Sequence, residues 1–101
     1  MGELVRFRAK FTGEIVYWRG PSPFHFVPVP PAEAAEIRVI APVVTYGWGV
    51  IPVRLRLGRT EATTALFPKD GGYLVPVRDS VRKAEGVAVG DSVTVELQIG
   101  D

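Results

Sequence analysis

Hydrophobic and polar positions alternate along most of this chain, and the alternation predicts short strands near residues 4–11, 14–19, 24–29, 50–57, 60–67, 73–77 and 92–99. The last is the clearest: Val93, Val95, Leu97 and Ile99 alternate with Thr94, Glu96 and Gln98, so one face is buried and the other is wet. Turn residues separate most of the strands. Thr12-Gly13 and Gly58-Arg59 are suited to tight hairpins, Lys69-Asp70-Gly71-Gly72 to a longer one, and Gly20-Pro21-Ser22-Pro23 to a stiff surface loop.

Two segments break the period and read as helices, residues 31–40 and 78–85, with Pro42 expected to end the first. In the second, Asp79 or Ser80 can cap the free amides, Val81 and Ala84 supply an apolar face, and Arg82 and Lys83 oppose the negative end of the helix dipole. Gly86 can then take the left-handed conformation that stops it. Val87 and Val89 are expected to pin the following turn to the core, with Gly90-Asp91 leading into the last strand. Pro76 lacks a ladder donor, which suits a strand edge or end.

The segment Phe26-Val27-Pro28-Val29 followed by Pro31-Ala32-Glu33-Ala34-Ala35 parallels Leu74-Val75-Pro76-Val77 followed by Asp79-Ser80-Val81-Arg82-Lys83. Each half then runs hairpin, strand, helix. Two such halves bury complementary faces against each other and close a barrel within one polypeptide, which predicts a stable monomer. The expected fold is a mainly all-β, closed or partly split barrel of about seven strands with two short helices and two pseudo-symmetric halves.

At 101 residues and 47% hydrophobic composition, the chain has room for one packed domain spanning residues 1–101 and for no second one. There is no cysteine, hence neither disulfides nor thiolate metal ligands, as expected of a cytoplasmic protein. No apolar run reaches membrane-spanning length, and Met1 leads directly into a charged alternating strand rather than a signal peptide.

A formal net charge of +1 conceals an uneven pattern. Arg6, Arg8 and Lys10 share one strand face opposite Val5, Phe7, Ala9 and Phe11, and Arg54 and Arg56 repeat the arrangement opposite Ile51, Val53, Leu55 and Leu57. If the two faces adjoin, they form a weak nucleic-acid or anion surface, because such binding comes from clustered charge. The plainer account is a solvated sheet whose arginines pair with Glu3, Glu14, Glu61 or Glu96.

His25 is the sole histidine and has no nearby acidic or nucleophilic pattern, so it fits packing better than catalysis. Ser22, Ser80 and Ser92 fit turns or caps; none sits on a G-x-S-x-G elbow, and no glycine run ends in the G-K-[ST] that cradles phosphate. Glu33 and Glu36 lie one helical turn apart, yet in the first turns of a helix they answer its positive end without a metal. Trp18, Tyr17, Tyr46 and Trp48 cluster near loops, where rings line a cleft or cap the open end of a small core.

In their order and spacing, Phe24-His25-Phe26-Val27 with Pro28 and Pro30, Trp48-Gly49-Val50-Ile51-Pro52-Val53, Thr64-Ala65-Leu66-Phe67-Pro68, and Gly72-Tyr73-Leu74-Val75-Pro76-Val77 with Val81-Arg82-Lys83 and Gly90-Asp91 are distinctive. Together they resemble a small prokaryotic family of domains of unknown function with a double-split β-barrel fold. The closing segment is also similar to AbrB-like DNA-binding barrels. That likeness implies shared architecture, since their basic DNA-reading arm has no clear match here. Relatives are often joined to a helical domain linked with bacteriocin resistance, and this chain resembles the free-standing form.

These readings order the functional expectations. The first is a non-enzymatic binding module that takes a small ligand, peptide or protein through Trp18, His25, Tyr46 and Trp48. The second is weak nucleic-acid binding through Arg6, Arg8, Lys10, Arg54 and Arg56. An enzyme ranks last, and neither a metal nor a cofactor is expected.

Overall fold

The computed structural model describes residues 6–19, 25–44 and 49–100. In chain order the elements are β1 (Phe7–Glu14), β2 (Val16–Tyr17), β3 (His25–Pro28), α1 (Pro31–Val44), β4 (Ile51–Leu57), β5 (Thr60–Lys69), β6 (Gly72–Pro76), α2 (Asp79–Glu85) and β7 (Ser92–Ile99). The strands form one antiparallel sheet in the order β1-β7-β4-β5-β6-β3-β2.

The two ends of that order are neighbours in sequence. Only Ile15 separates β1 from β2, so a single bent strand pairs with β7 on one side and with β3 on the other. The bend stays hydrogen-bonded: Ile15 N donates to Asp91 O at 3.0 Å, and Gly90 N donates to Ile15 O at 2.9 Å. The curled sheet therefore meets itself in one chain segment. β5 makes the second corner, pairing Leu66 with Ile51 of β4 and then Phe67 with Leu74 of β6. Ile15 and Leu66 hold the two corners at 0% exposure, as expected where a strand passes from one layer to another.

The halves are long bent strand, strand, helix, strand: β1/β2-β3-α1-β4 and β5-β6-α2-β7. The expected hairpin, strand, helix order holds for β4-β5, β6 and α2 but is corrected at the start of the chain, where β1 and β2 are one bent strand and no hairpin. The repeat itself is borne out by the ladder, where Val27 faces Val75 while Phe26 faces Pro76 and Pro28 faces Leu74, a local two-fold. Val29 N donates to Tyr73 O at 2.9 Å and Val77 N to His25 O at 2.8 Å, the same bond made once by each half. Both helices open alike, with Ala34 N donating to Pro30 O and Arg82 N to Arg78 O. Pro28 and Pro76 sit beyond the last residue paired on their outer sides, so their missing donors cost the ladder nothing.

Alternation packs the inward face of every long strand into one core, including Phe11, Val27, Val53, Leu55, Leu57, Val75, Val95, Leu97 and Ile99. Ala34 and Ile37 of α1 and Val81 of α2 join it. No helix among the described residues is long and apolar enough to cross a membrane.

Several local expectations change. Thr12-Gly13 is no turn, because β1 runs on to Glu14; a Cβ on Gly13 would lie 2.6 Å from Val27 Cγ1, so glycine serves close approach between strands. Helix α1 continues through Pro42 to Val44, two residues past the proline, which removes only its own N–H bond close to the C-terminal end. Arg78 is the N-cap of α2 and no side chain caps it; Asp79, inside the helix, pairs with Arg82 at 3.2 Å instead. Ala84 and Val89 are exposed, and Val87 alone of the two valines packs on the core. Gly86 takes the left-handed C-cap as expected, at φ 64° and ψ 37°. Gly58-Arg59 and Asp70-Gly71 make the hairpin turns, with positive φ at Gly58, Asp70 and Gly71. The loop expected at residues 20–23 lies outside the described residues.

Candidate anion-binding face

Strand β7 lies between β1 and β4 and brings the two basic strands together. Its outward residues fix the arrangement: Gln98 stands between Arg8 and Arg54, and Glu96 between Lys10 and Arg56. The first row continues onto β5 at Thr63, the second at Glu61. Strand period two aims all these side chains away from the core, whose nearest members are Leu55 and Leu97.

A half-open groove of about 520 Å³ runs along this face, lined by Arg8, Lys10, Arg54, Arg56, Glu96 and Gln98. Arg8 Nη2 donates weakly to Gln98 Oε1 at 3.4 Å. The ion pairs among the described residues are Lys69 with Asp70 and Arg82 with Asp79, so the groove's four cations have no described carboxylate within 4.0 Å. Glu61 and Glu96 stand next to Arg56 and Lys10 in register, but neither they nor Glu14 approach the groove's cations within 4.0 Å, and Glu3 lies outside the described residues. Arg6 is exposed just before β1 and outside the groove lining.

Trp18 and His25 are placed elsewhere, on the strands around β3. The Trp18 ring packs on Phe26 and Phe67 at centroid distances of 5.6 and 5.7 Å, and Lys69 Nζ sits 4.5 Å from its centre. His25 meets Tyr17 edge-on at 5.5 Å. Neither lines this groove or the shallower one of about 430 Å³ bordered by Pro52, Thr63, Thr64, Ala65, Pro76 and Arg78. Tyr46 and Trp48 lie outside the described residues. No group of three or more potential metal-ligating side chains occurs among the described residues.

Gln98 is the functional candidate that sequence reasoning passed over. Its signal was present as the outward, uncharged position of β7, but only the register shows that it falls between two arginines.

The sequence model of a family described as Domain of unknown function (DUF1905) matches residues 11–97. That span covers the barrel from within β1 to within β7 and contains the whole of the bend at Ile15. No curated protein matches the chain.

Proposed function

The chain belongs to the DUF1905 family, and from that premise we propose that it is a non-enzymatic binding module taking an anionic ligand on the β1-β7-β4 face. One observation carries the reading: β7 sets Arg8 and Lys10 alongside Arg54 and Arg56, and none of the four has a carboxylate within 4.0 Å among the described residues. Four long cationic side chains outnumber Glu61 and Glu96 around this concave surface, and such an excess of one sign focuses the potential over it and raises the local concentration of anions. The groove's volume falls in the range of about 300–1,000 Å³ usual for small-molecule sites.

The non-enzymatic part rests on what surrounds the ionisable groups. His25 is stacked against Tyr17 outside both grooves. Ser80 and Ser92 are exposed at the starts of α2 and β7. A monomer is favoured because one chain supplies both halves of the repeat and pairs them with each other through β3 with β6 and β4 with β7.

Titration calorimetry at low ionic strength with inorganic phosphate, sulfate and citrate tests the reading. Binding of at least one anion, weakened by added sodium chloride, is expected. Heats of dilution alone for all three would contradict it.

A further inference from the structure

The four cations of the groove are not equivalent. Lys10, Glu96, Arg56 and Glu61 lie side by side across β1, β7, β4 and β5, a row of alternating sign that is neutral as a whole. Opposite charges at such cross-strand positions stabilise one another without close ion pairing. The neighbouring row is Arg8, Gln98, Arg54 and Thr63, which holds two positive charges and no negative one. Within the groove, the uncompensated charge therefore stands at Arg8 and Arg54, on either side of an amide.

Building on the anion-binding reading above, we propose that Arg8, Gln98 and Arg54 form a clamp for one phosphomonoester or inorganic phosphate dianion carried by a small molecule. Two strand spacings of roughly 4.8 Å separate the arginine backbones, a gap that guanidinium groups on flexible stems close over a single tetrahedral anion. Each guanidinium offers a planar pair of donors matched to two phosphate oxygens. Gln98 Oε1 accepts from Arg8, which leaves its amide nitrogen as a further donor to the anion. The mixed-sign row, about 7 Å away along the strands, suits the polar remainder of a small ligand and disfavours a second phosphate. A nucleic-acid backbone, which needs a track of cations, finds only two unmatched charges in the groove, with Arg6 outside its lining.

The test compares inorganic phosphate, glycerol phosphate and a single-stranded oligonucleotide on the wild-type chain and on Arg8→Gln, Arg54→Gln, Gln98→Glu and Lys10→Gln. Each arginine substitution is expected to weaken phosphate binding by about tenfold or more, as for loss of a charge-assisted bond, and Lys10→Gln by no more than about threefold. Gln98→Glu is expected to abolish it. Circular dichroism confirms folding of each variant. Tighter binding of glycerol phosphate than of phosphate identifies an ester as the ligand; equal affinity identifies the free ion. Equal losses in Arg8→Gln and Lys10→Gln would overturn the clamp while leaving an anion-binding face. Oligonucleotide binding whose salt dependence reports four or more neutralised phosphates would overturn it in favour of nucleic acid. Binding of citrate but not phosphate also overturns the clamp, whereas a wild-type chain that binds no anion removes the anion-binding reading itself.

Discussion

Arg56 of β4 faces Glu96 of β7 on the same pseudo-two-fold that passes between Val27 and Val75. The two residues occupy equivalent positions in the two halves and carry opposite charge, so the repeat has diverged where its halves meet on the outer surface. Glu96 restrains the positive field of the groove. Replacing it by glutamine leaves Lys10 and Arg56 unmatched and is expected to tighten anion binding severalfold. The cost in stability is about 0.2–1 kcal/mol, the usual worth of a cross-strand charge pair. Calorimetry and urea unfolding on Glu96→Gln check both effects.

Closure of the barrel depends on Ile15, which is fully buried at the bend between β1 and β2. Ile15→Ala removes side-chain volume where two layers meet and is expected to destabilise the fold by about 2–5 kcal/mol. A midpoint of chemical denaturation close to wild type would show that the corner is not a packing centre.

Gly13 is a matter of space. Its added methyl would press on Val27 Cγ1 within a packed inter-strand contact, so Gly13→Ala is expected to cost about 1–3 kcal/mol. Gly72→Ala, on β6, meets nothing nearer than 3.8 Å and is expected to be neutral or mildly stabilising. The two variants measured together separate crowding from the general effect of replacing glycine.

Glu85, the last residue of α2, accepts from Arg59 N at 3.2 Å and from the Thr60 hydroxyl, tying the helix to the β4-β5 turn. Glu85→Ala is expected to cost about 1 kcal/mol through the loss of these bonds. Amide exchange should accelerate at residues 58–60 more than elsewhere. Unchanged exchange in that turn would contradict the role.

Asp91 fixes the turn before β7 from both its ends. Its Oδ2 accepts from Ala88 N at 2.8 Å while its own N–H donates to Ala88 O at 3.0 Å. Asp91→Ala is expected to lower stability by about 0.5–1.5 kcal/mol, read from the denaturation midpoint, and Asp91→Asn by less because the amide oxygen still accepts. Equal losses in the two variants would contradict this account of the turn.

Strand periodicity carried most of the fold in particular residues. The alternation of Val93, Val95, Leu97 and Ile99 placed β7 with its observed bounds, and the Val27-Pro28 and Val75-Pro76 echo marked the two equivalent strands, whose pairing only the structure shows. Gly13 misled because glycine marks a turn and a close approach with the same letter, and only the third dimension distinguishes them. Pro42 misled because a proline near the end of a helix sacrifices few bonds, so it does not enforce a stop. The basic residues of the face were legible one strand at a time. Their adjacency was not, since it arises from β7, the last strand in sequence, inserting between the first and the fourth.

The most direct measurement is a titration of isotope-labelled protein with inorganic phosphate, followed by amide chemical shifts. The account predicts saturable shifts centred on Arg8, Gln98 and Arg54, with Trp18 and His25 unmoved. Saturable shifts centred on the strands around β3, or none anywhere at low salt, would contradict it.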